Sequence, residues 1–254
     1  MESSVSEEEV WPEAPTPPKL VSGSVHVWQV PLGVSEESGT VESYRKNLSS
    51  EERLRADGMQ AQTHRGRFII SRGVLRRILC LYMEIRPESL KFEYLDRGKP
   101  MLPGQAGDDG LQFNLSHSRE LTLIGVTVGA EIGVDVEYVR DLDRQDRIAE
   151  RFFSAEEIEA IQGYPDPERR EAFFSCWTRK EAYLKGLGAG LGHSLSSFSV
   201  SVDPNQEEPS ISGDDAPELT VWSIRSLYPE MGYVGAVARK GEVGCLQRFT
   251  WPHP

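Results

Sequence analysis

Asp135 and Glu137 lie in the run Gly133-Val134-Asp135-Val136-Glu137. The alternation predicts a strand with Ile132, Val134, Val136 and Tyr138 on one face and Gly133, Asp135, Glu137 and Val139 on the other. The two carboxylates then stand about 7 Å apart and point the same way. Like charges so placed repel unless a cation or a donor group sits between them. A partly hydrated Mg²⁺ relieves that repulsion, because it favours one or two carboxylates together with substrate phosphates. The alternative is a half-exposed strand whose outer face is merely polar.

A third acid lies further along. Glu168 to Leu187 is predicted to be a helix in which Phe173, Phe174, Trp177 and Leu184 form an apolar stripe. At about 100° per residue Glu181 falls inside that stripe, with Lys180 and Lys185 at its margins. An unpaired buried carboxylate is costly, so Glu181 is expected to be paired or bound to metal. A plain Glu181–Lys185 pair at i, i+4 is the competing explanation. Trp177 and Cys176 read as core packing.

The elements that must position these acids follow from patterning. Val25 to Val30 alternates as a strand. Ser49 with Glu52, and Ser154 with Glu157, form capping boxes that open helices. A long helix is predicted over Gln62–Met83, ended before Pro87. Its Arg65, Arg72 and Arg76 read as a solvated face, while Arg67 projects on the apolar side in the first turn, where a phosphate would suit it. Strands are expected near 91–95, 112–114 and 121–128, with a loop over 103–110. After strand 132–139, helices are expected at 142–153, 155–161 and 168–187, and strands at 198–202, 219–227 and 233–239. The pattern of strand, helices and three strands thus occurs twice, with no repeat at residue level. A duplicated unit would carry its site at the seam between halves.

The chain has 254 residues and a net charge of −12, which disfavours a nucleic-acid binder. No stretch is long and apolar enough for a membrane span, and the acidic start lacks a secretory pattern. Cys80, Cys176 and Cys245 have neither disulfide-framework nor zinc spacing, which points to a cytoplasmic protein. Residues 1–20, with Glu7-Glu8-Glu9, Pro12, Pro15, Pro17 and Pro18, are expected to be a disordered tail. Lobes are expected at 21–129 and 130–245, with a tail at 246–254. Residues 204–217 read as a mobile acidic hairpin insertion.

Asn114-Leu-Ser-His-Ser118, Gly133-Val-Asp-Val-Glu137 and Trp177-Thr-Arg-Lys-Glu-Ala-Tyr-Leu-Lys185 occur in that order, preceded by Arg97-Gly-Lys-Pro100 and with Phe152-Phe-Ser-Ala-Glu156 before the last. The set resembles the 4′-phosphopantetheinyl transferases, in particular the long, two-lobed, surfactin-synthetase-activating kind, over about residues 24 to 240. The resemblance implies an α+β fold: a pseudo-dimer of two similar α/β lobes, with the active site in the cleft between them. It implies transfer of 4′-phosphopantetheine from coenzyme A to a serine of an apo acyl or peptidyl carrier protein, as in holo-[acyl-carrier-protein] synthase. By that match Asp135, Glu137 and Glu181 hold Mg²⁺, with Mn²⁺ an alternative. Lys185 neutralises phosphate charge, and Glu181 takes the serine proton directly or through water. Coenzyme A contacts are implied for Arg67, Lys99, Pro100, Ser116, His117, Lys180 and Lys185, and for Arg53 in support; Ser116 and His117 are placed on a tight segment between strands. A monomer is expected, and docking of an acidic carrier through apolar contact with local arginines such as Arg72 or Arg76. The competing functions are a metal-dependent coenzyme A pyrophosphate hydrolase and a non-catalytic binding module.

Overall fold

The computed structural model describes residues 11–14, 16, 19–33, 39–95, 98–104, 110–143, 145–188, 194–213, 219 and 221–253. Glu7 to Glu9, Pro15, Pro17, Pro18, Arg97, the centre of the 103–110 loop and residues 214–217 lie outside them. In chain order, β1 (Ser24–Pro31) leads to α1 (Thr40–Arg45), α2 (Ser50–Asp57) and α3 (Gln62–Met83). β2 (Glu93–Tyr94) and β3 (Pro100–Met101) precede β4 (Leu111–Ser118), β5 (Leu121–Val128) and β6 (Ile132–Tyr138). Then come α4 (Gln145–Phe152), α5 (Ala155–Gln162) and α6 (Glu168–Leu187). β7 (Phe198–Val200), β8 (Ile211–Gly213), β9 (Trp222–Leu227), β10 (Tyr233–Lys240) and β11 (Cys245–Thr250) complete the mixed α+β fold.

The larger sheet has the order β11-β1-β5-β4 and the smaller β6-β10-β9. One core gathers Val74, Leu75 and Ile78 of α3 with Trp28, Ile124 and Val126 of the larger sheet. A second gathers Phe173, Phe174 and Leu184 of α6 with Ile224, Ala236 and Ala238 of the smaller. A third joins the sheets, since Val25, Val27 and Leu123 pack with Ile132, Val134 and Val136. β6 therefore has no bare face. Its apolar side enters the third core and its Gly133–Asp135–Glu137 side meets α6.

Both capping boxes are present: Glu52 N–H donates to Ser49 Oγ at 3.2 Å, and Glu157 N–H to Ser154 Oγ at 3.2 Å. Each satisfies two helix-start donors reciprocally.

Four expectations about the surface are corrected. The described part of the N-terminal tail is packed: Trp11 is buried, and Thr250 N–H donates to Pro12 O at 2.9 Å. The 246–254 tail is mostly β11, paired parallel to β1, and Trp251 Nε1 donates to Tyr44 Oη at 2.8 Å. A strand this short, followed by two prolines, has little periodicity to reveal it. The 204–217 insertion is anchored in its described first half at Gln206, whose carbonyl accepts from the buried Arg179 guanidinium at 3.2 Å and from Ser226 Oγ at 2.6 Å. The arginine face of α3 is also not uniformly solvated. Arg76 is 2% exposed and donates to Glu52 at 2.7 Å and to Pro87 O and Leu90 O at 2.8 Å each. That removes Arg76 from any docking surface.

Candidate active site

β4 and β6 are the facing edge strands of the two sheets, and side chains bridge them. Alternation along β4 sends Asn114, Ser116 and Ser118 the same way. Asn114 Oδ1 accepts from Val134 N–H at 2.9 Å. Ser116 Oγ donates to Asp135 Oδ1 at 2.7 Å, and Ser118 Oγ donates to Glu137 Oε2 at 2.8 Å while accepting from Tyr138 N–H at 3.1 Å. Three short polar side chains therefore hold both acids of β6 in place. Ser116 and His117 lie within β4 itself, not on a tight segment between strands. Asn114 and Ser118 are not visible as site residues in a strand over 112–114; the alternation carried to Ser118, as the strand runs, puts both on the face of Ser116.

α6 brings the third acid. Lys185 Nζ donates to Asp135 Oδ1 at 2.5 Å and to Ser116 Oγ at 2.8 Å. Asp135 is 3% exposed, so the half-exposed strand is excluded there, and its Oδ2 is buried without a hydrogen-bond partner. Glu181, one helical turn before Lys185, faces the same cavity as Glu137 and Lys185. Burial raises the pKa of Glu181, as do Asp135 and Glu137, against the opposing effect of Lys185. Burial and Asp135 likewise raise Glu137, opposed by the Ser118 hydrogen bond. The three acids thus share one electrostatic neighbourhood. As they stand, no three acid, histidine or cysteine side chains among the described residues converge on a single ion position. The Lys185 ammonium holds Asp135 Oδ1 instead.

The cavity has a volume of about 940 Å³. Its lining is also cationic: Arg55, His64, Arg67 and Arg72 line it with His117. The Arg67 guanidinium is paired with Glu120. Arg67 lies in the second turn of α3, and His64 occupies the first. The Arg72 Nη1 atom is buried without a partner, and burial lowers the pKa of this guanidinium. Burial, Lys185 and Arg67 lower the pKa of the His117 imidazole, against Asp135. Arg53 does not line the cavity; Arg55, two residues on, does. An i, i+2 difference on a helix changes face, which sets Arg53 and Arg55 on different sides of α2.

Lys180 requires a firm correction. It points away from the cavity, is fully buried, and pairs with Glu157 at 2.8 Å while donating to Leu195 O at 2.6 Å. α6 is covered on several sides, so a position at the margin of the stripe is interior rather than exposed. Lys180 is a packing cation, not a phosphate ligand. Its Lys180→Met variant leaves Glu157 buried without its cation, an arrangement that costs about 3–5 kcal/mol. The expected readout is a clear fall in the midpoint of thermal unfolding, and an unchanged midpoint would contradict the pairing. Lys99 also departs from expectation. It lines the cavity with its stem, but its ammonium faces backbone carbonyls of Ile132, Lys185 and Gly186. Pro100, beside it in β3, lines the cavity as expected.

Residues 131–238 match the family model described as the 4′-phosphopantetheinyl transferase superfamily. The segment includes Asp135, Glu137, Glu181 and Lys185. The chain is 38% identical over 229 residues to the 4′-phosphopantetheinyl transferase HetI of Nostoc sp., covering 89% of this chain and 93% of that protein. It is 32% identical over 171 residues to the 4′-phosphopantetheinyl transferase psf-1 of Bacillus pumilus, covering 67% and 70%. Over 159 residues it is 26% identical to the 4′-phosphopantetheinyl transferase Sfp of Bacillus subtilis, covering 63% and 68%.

Proposed function

This chain belongs to the 4′-phosphopantetheinyl transferase superfamily, and we propose that it performs the family reaction with Asp135, Glu137 and Glu181 holding a divalent ion and Lys185 neutralising the phosphates. The reaction transfers 4′-phosphopantetheine from coenzyme A to a serine of a carrier protein. The serine oxygen forms a bond to the β-phosphorus as the bridging P–O bond breaks. Adenosine 3′,5′-bisphosphate leaves, and the serine proton goes to a base. Such chemistry is mostly positioning and charge neutralisation.

The observation that carries this reading is Asp135. Its Oδ1 is fixed by Lys185 and Ser116, and its buried Oδ2 has no partner. Beside it, burial and Asp135 raise the pKa of both Glu137 and Glu181, and Glu137 adds to the rise at Glu181. Three hard oxygen donors and an unsatisfied buried oxygen fit Mg²⁺. When bound, such an ion supplies charge neutralisation at the pyrophosphate. Glu181, which faces the cavity beside Lys185, suits the role of proton acceptor for the serine, directly or through a water. Arg67 and His117, with Arg55 and Arg72 behind them, suit the phosphate-bearing nucleotide end, and Pro100 the adenine. We read the two sheets, each with one long helix, as two similar lobes and the cavity as their cleft. Because one chain lines the whole cavity, the monomer is the proposed active unit.

The function is tested by incubation with coenzyme A, Mg²⁺ and a panel of apo acyl and peptidyl carrier proteins. The expected result is a mass gain of one phosphopantetheine on the carrier serine. Consumption of coenzyme A with every carrier mass unchanged indicates hydrolysis and overturns the reading. The ion is tested separately from turnover. At a hundredfold excess over its dissociation constant, Mg²⁺ should stabilise the metal-stripped protein by about 2.7 kcal/mol, read as a higher unfolding midpoint. The same titration on Glu181→Gln should give a much smaller rise; equal rises in the two proteins would remove Glu181 from the ligand set.

A further inference from the structure

We propose that Lys99 is a positioning residue, whose ammonium fixes the last turn of α6, and with it Lys185, against the start of β6. Lys99 sits in the short connection between β2 and β3, where Leu95 N–H donates to Lys99 O at 3.0 Å and Gly98 N–H to Leu95 O at 2.7 Å. Gly98 carries φ +82° there, a value that an L side chain adopts only under strain. From this connection the Lys99 stem runs inward. Its Nζ donates to Lys185 O at 2.6 Å, Gly186 O at 2.9 Å and Ile132 O at 3.1 Å. An ammonium has three protons and no acceptor, so three carbonyls use all of them. None is left for a phosphate.

The three acceptors belong to the two elements that must be held together. Lys185 O and Gly186 O are among the last carbonyls of α6, at the negative end of its dipole; besides Lys99, Lys185 O accepts only a long 3.3 Å bond from the C-cap Gly188 N–H among the described residues. Ile132 O opens β6, the strand of Asp135 and Glu137. Lys185 is thereby held at both ends: its carbonyl by Lys99 and its own ammonium by Asp135 and Ser116. Burial pulls the Lys99 pKa down to about 8, which leaves it mostly cationic at neutral pH. Lys99 thus acts on the reaction through Lys185, without charge contact to coenzyme A. This inference rests on the transfer reading above.

The test is a kinetic and structural comparison of Lys99→Met, with Lys99→Gln as the variant that keeps two donors should the first not fold. Loss of the staple lets Lys185 shift, and a displacement near 1 Å costs about 100-fold in rate. The expected result is a kcat lower by about that factor for Lys99→Met, with KM for coenzyme A within about twofold. In a Lys185→Met background the same change should lower kcat by less than about threefold, because residues that act as a unit are not additive. A tenfold rise in KM with kcat unchanged would show direct ligand contact and overturn the proposal, as would losses that multiply. Amide hydrogen exchange over residues 183–188 gives a readout independent of turnover. It should accelerate in Lys99→Gln while residues 173–179 keep their protection, and unchanged exchange overturns the staple. A wild-type chain that modifies no carrier defeats the transfer reading alone, and leaves the exchange experiment to decide on Lys99.

Discussion

Asp135→Ala will lower Mg²⁺-dependent transfer by about 10³-fold or more, the scale on which preorganised charge stabilisation is lost when a central group is deleted. The substitution removes two things at once. One is the carboxylate whose buried Oδ2 has no hydrogen-bond partner, and the other is the anchor of Lys185. Glu181 and Glu137 remain as alternative partners for the freed ammonium, so the lysine is drawn away from the place where it meets phosphate. Fold loss does not explain the effect. Asp135 pairs through its backbone with Ala236 of β10, and that ladder does not need the side chain. The check is a single-turnover assay with coenzyme A, Mg²⁺ and an apo carrier, run beside a thermal melt. Near-normal turnover in a folded variant would remove Asp135 from the metal site.

Much of this site was legible in the residues. The alternation across 132–139 sets the face of Asp135 and Glu137, and the helical period over Glu168–Leu187 places Glu181 and Lys185 one turn apart; the strand forms over Ile132–Tyr138, one residue shorter, and the helix over Glu168–Leu187. α3 likewise runs over Gln62–Met83 and β5 over Leu121–Val128. Such bounds were readable because capping residues, turns and long periodic runs are local signals. What local signals cannot give is which faces meet. Lys180 and Arg76 have the sequence character of surface cations, yet each is buried on a glutamate that begins a helix elsewhere, Glu157 and Glu52. In both cases the partner is the capping-box glutamate, whose second role is invisible from the box alone. Tertiary pairing, not propensity, decided these positions. The same holds for β11, which exists because β1 offers it an edge.

Gly133→Ala tests how tightly that tertiary geometry is set. In a strand interior, glycine marks a close approach of another backbone. A Cβ at Gly133 would stand 2.0 Å from Ala182 O and 2.3 Å from Gly186 N. Both are backbone atoms of α6, so no side-chain rotation relieves the overlap. Nor can the helix simply lift at its end, because Gly186 packs so closely on the Trp222 ring that a Cβ there would stand 2.5 Å from it. The last turn of α6 is thus clamped between β6 and β9. Overpacking of this kind costs about 1–3 kcal/mol and occasionally more, and contact with backbone places Gly133→Ala at or above the upper end. For a chain of this size each kcal/mol lowers the unfolding midpoint by roughly 2–4 °C, so a fall of about 10 °C is expected. The variant that still folds does so with α6 displaced, and Glu181 and Lys185 move away from Asp135 with it. A shift near 1 Å then costs about another 100-fold in rate. Asp135→Ala should therefore be inactive and stable, whereas Gly133→Ala should be inactive and fragile. A Gly133→Ala protein with wild-type midpoint and turnover would show that the helix seats elsewhere on the sheet, and that the spacing of 135, 181 and 185 is set by some other contact.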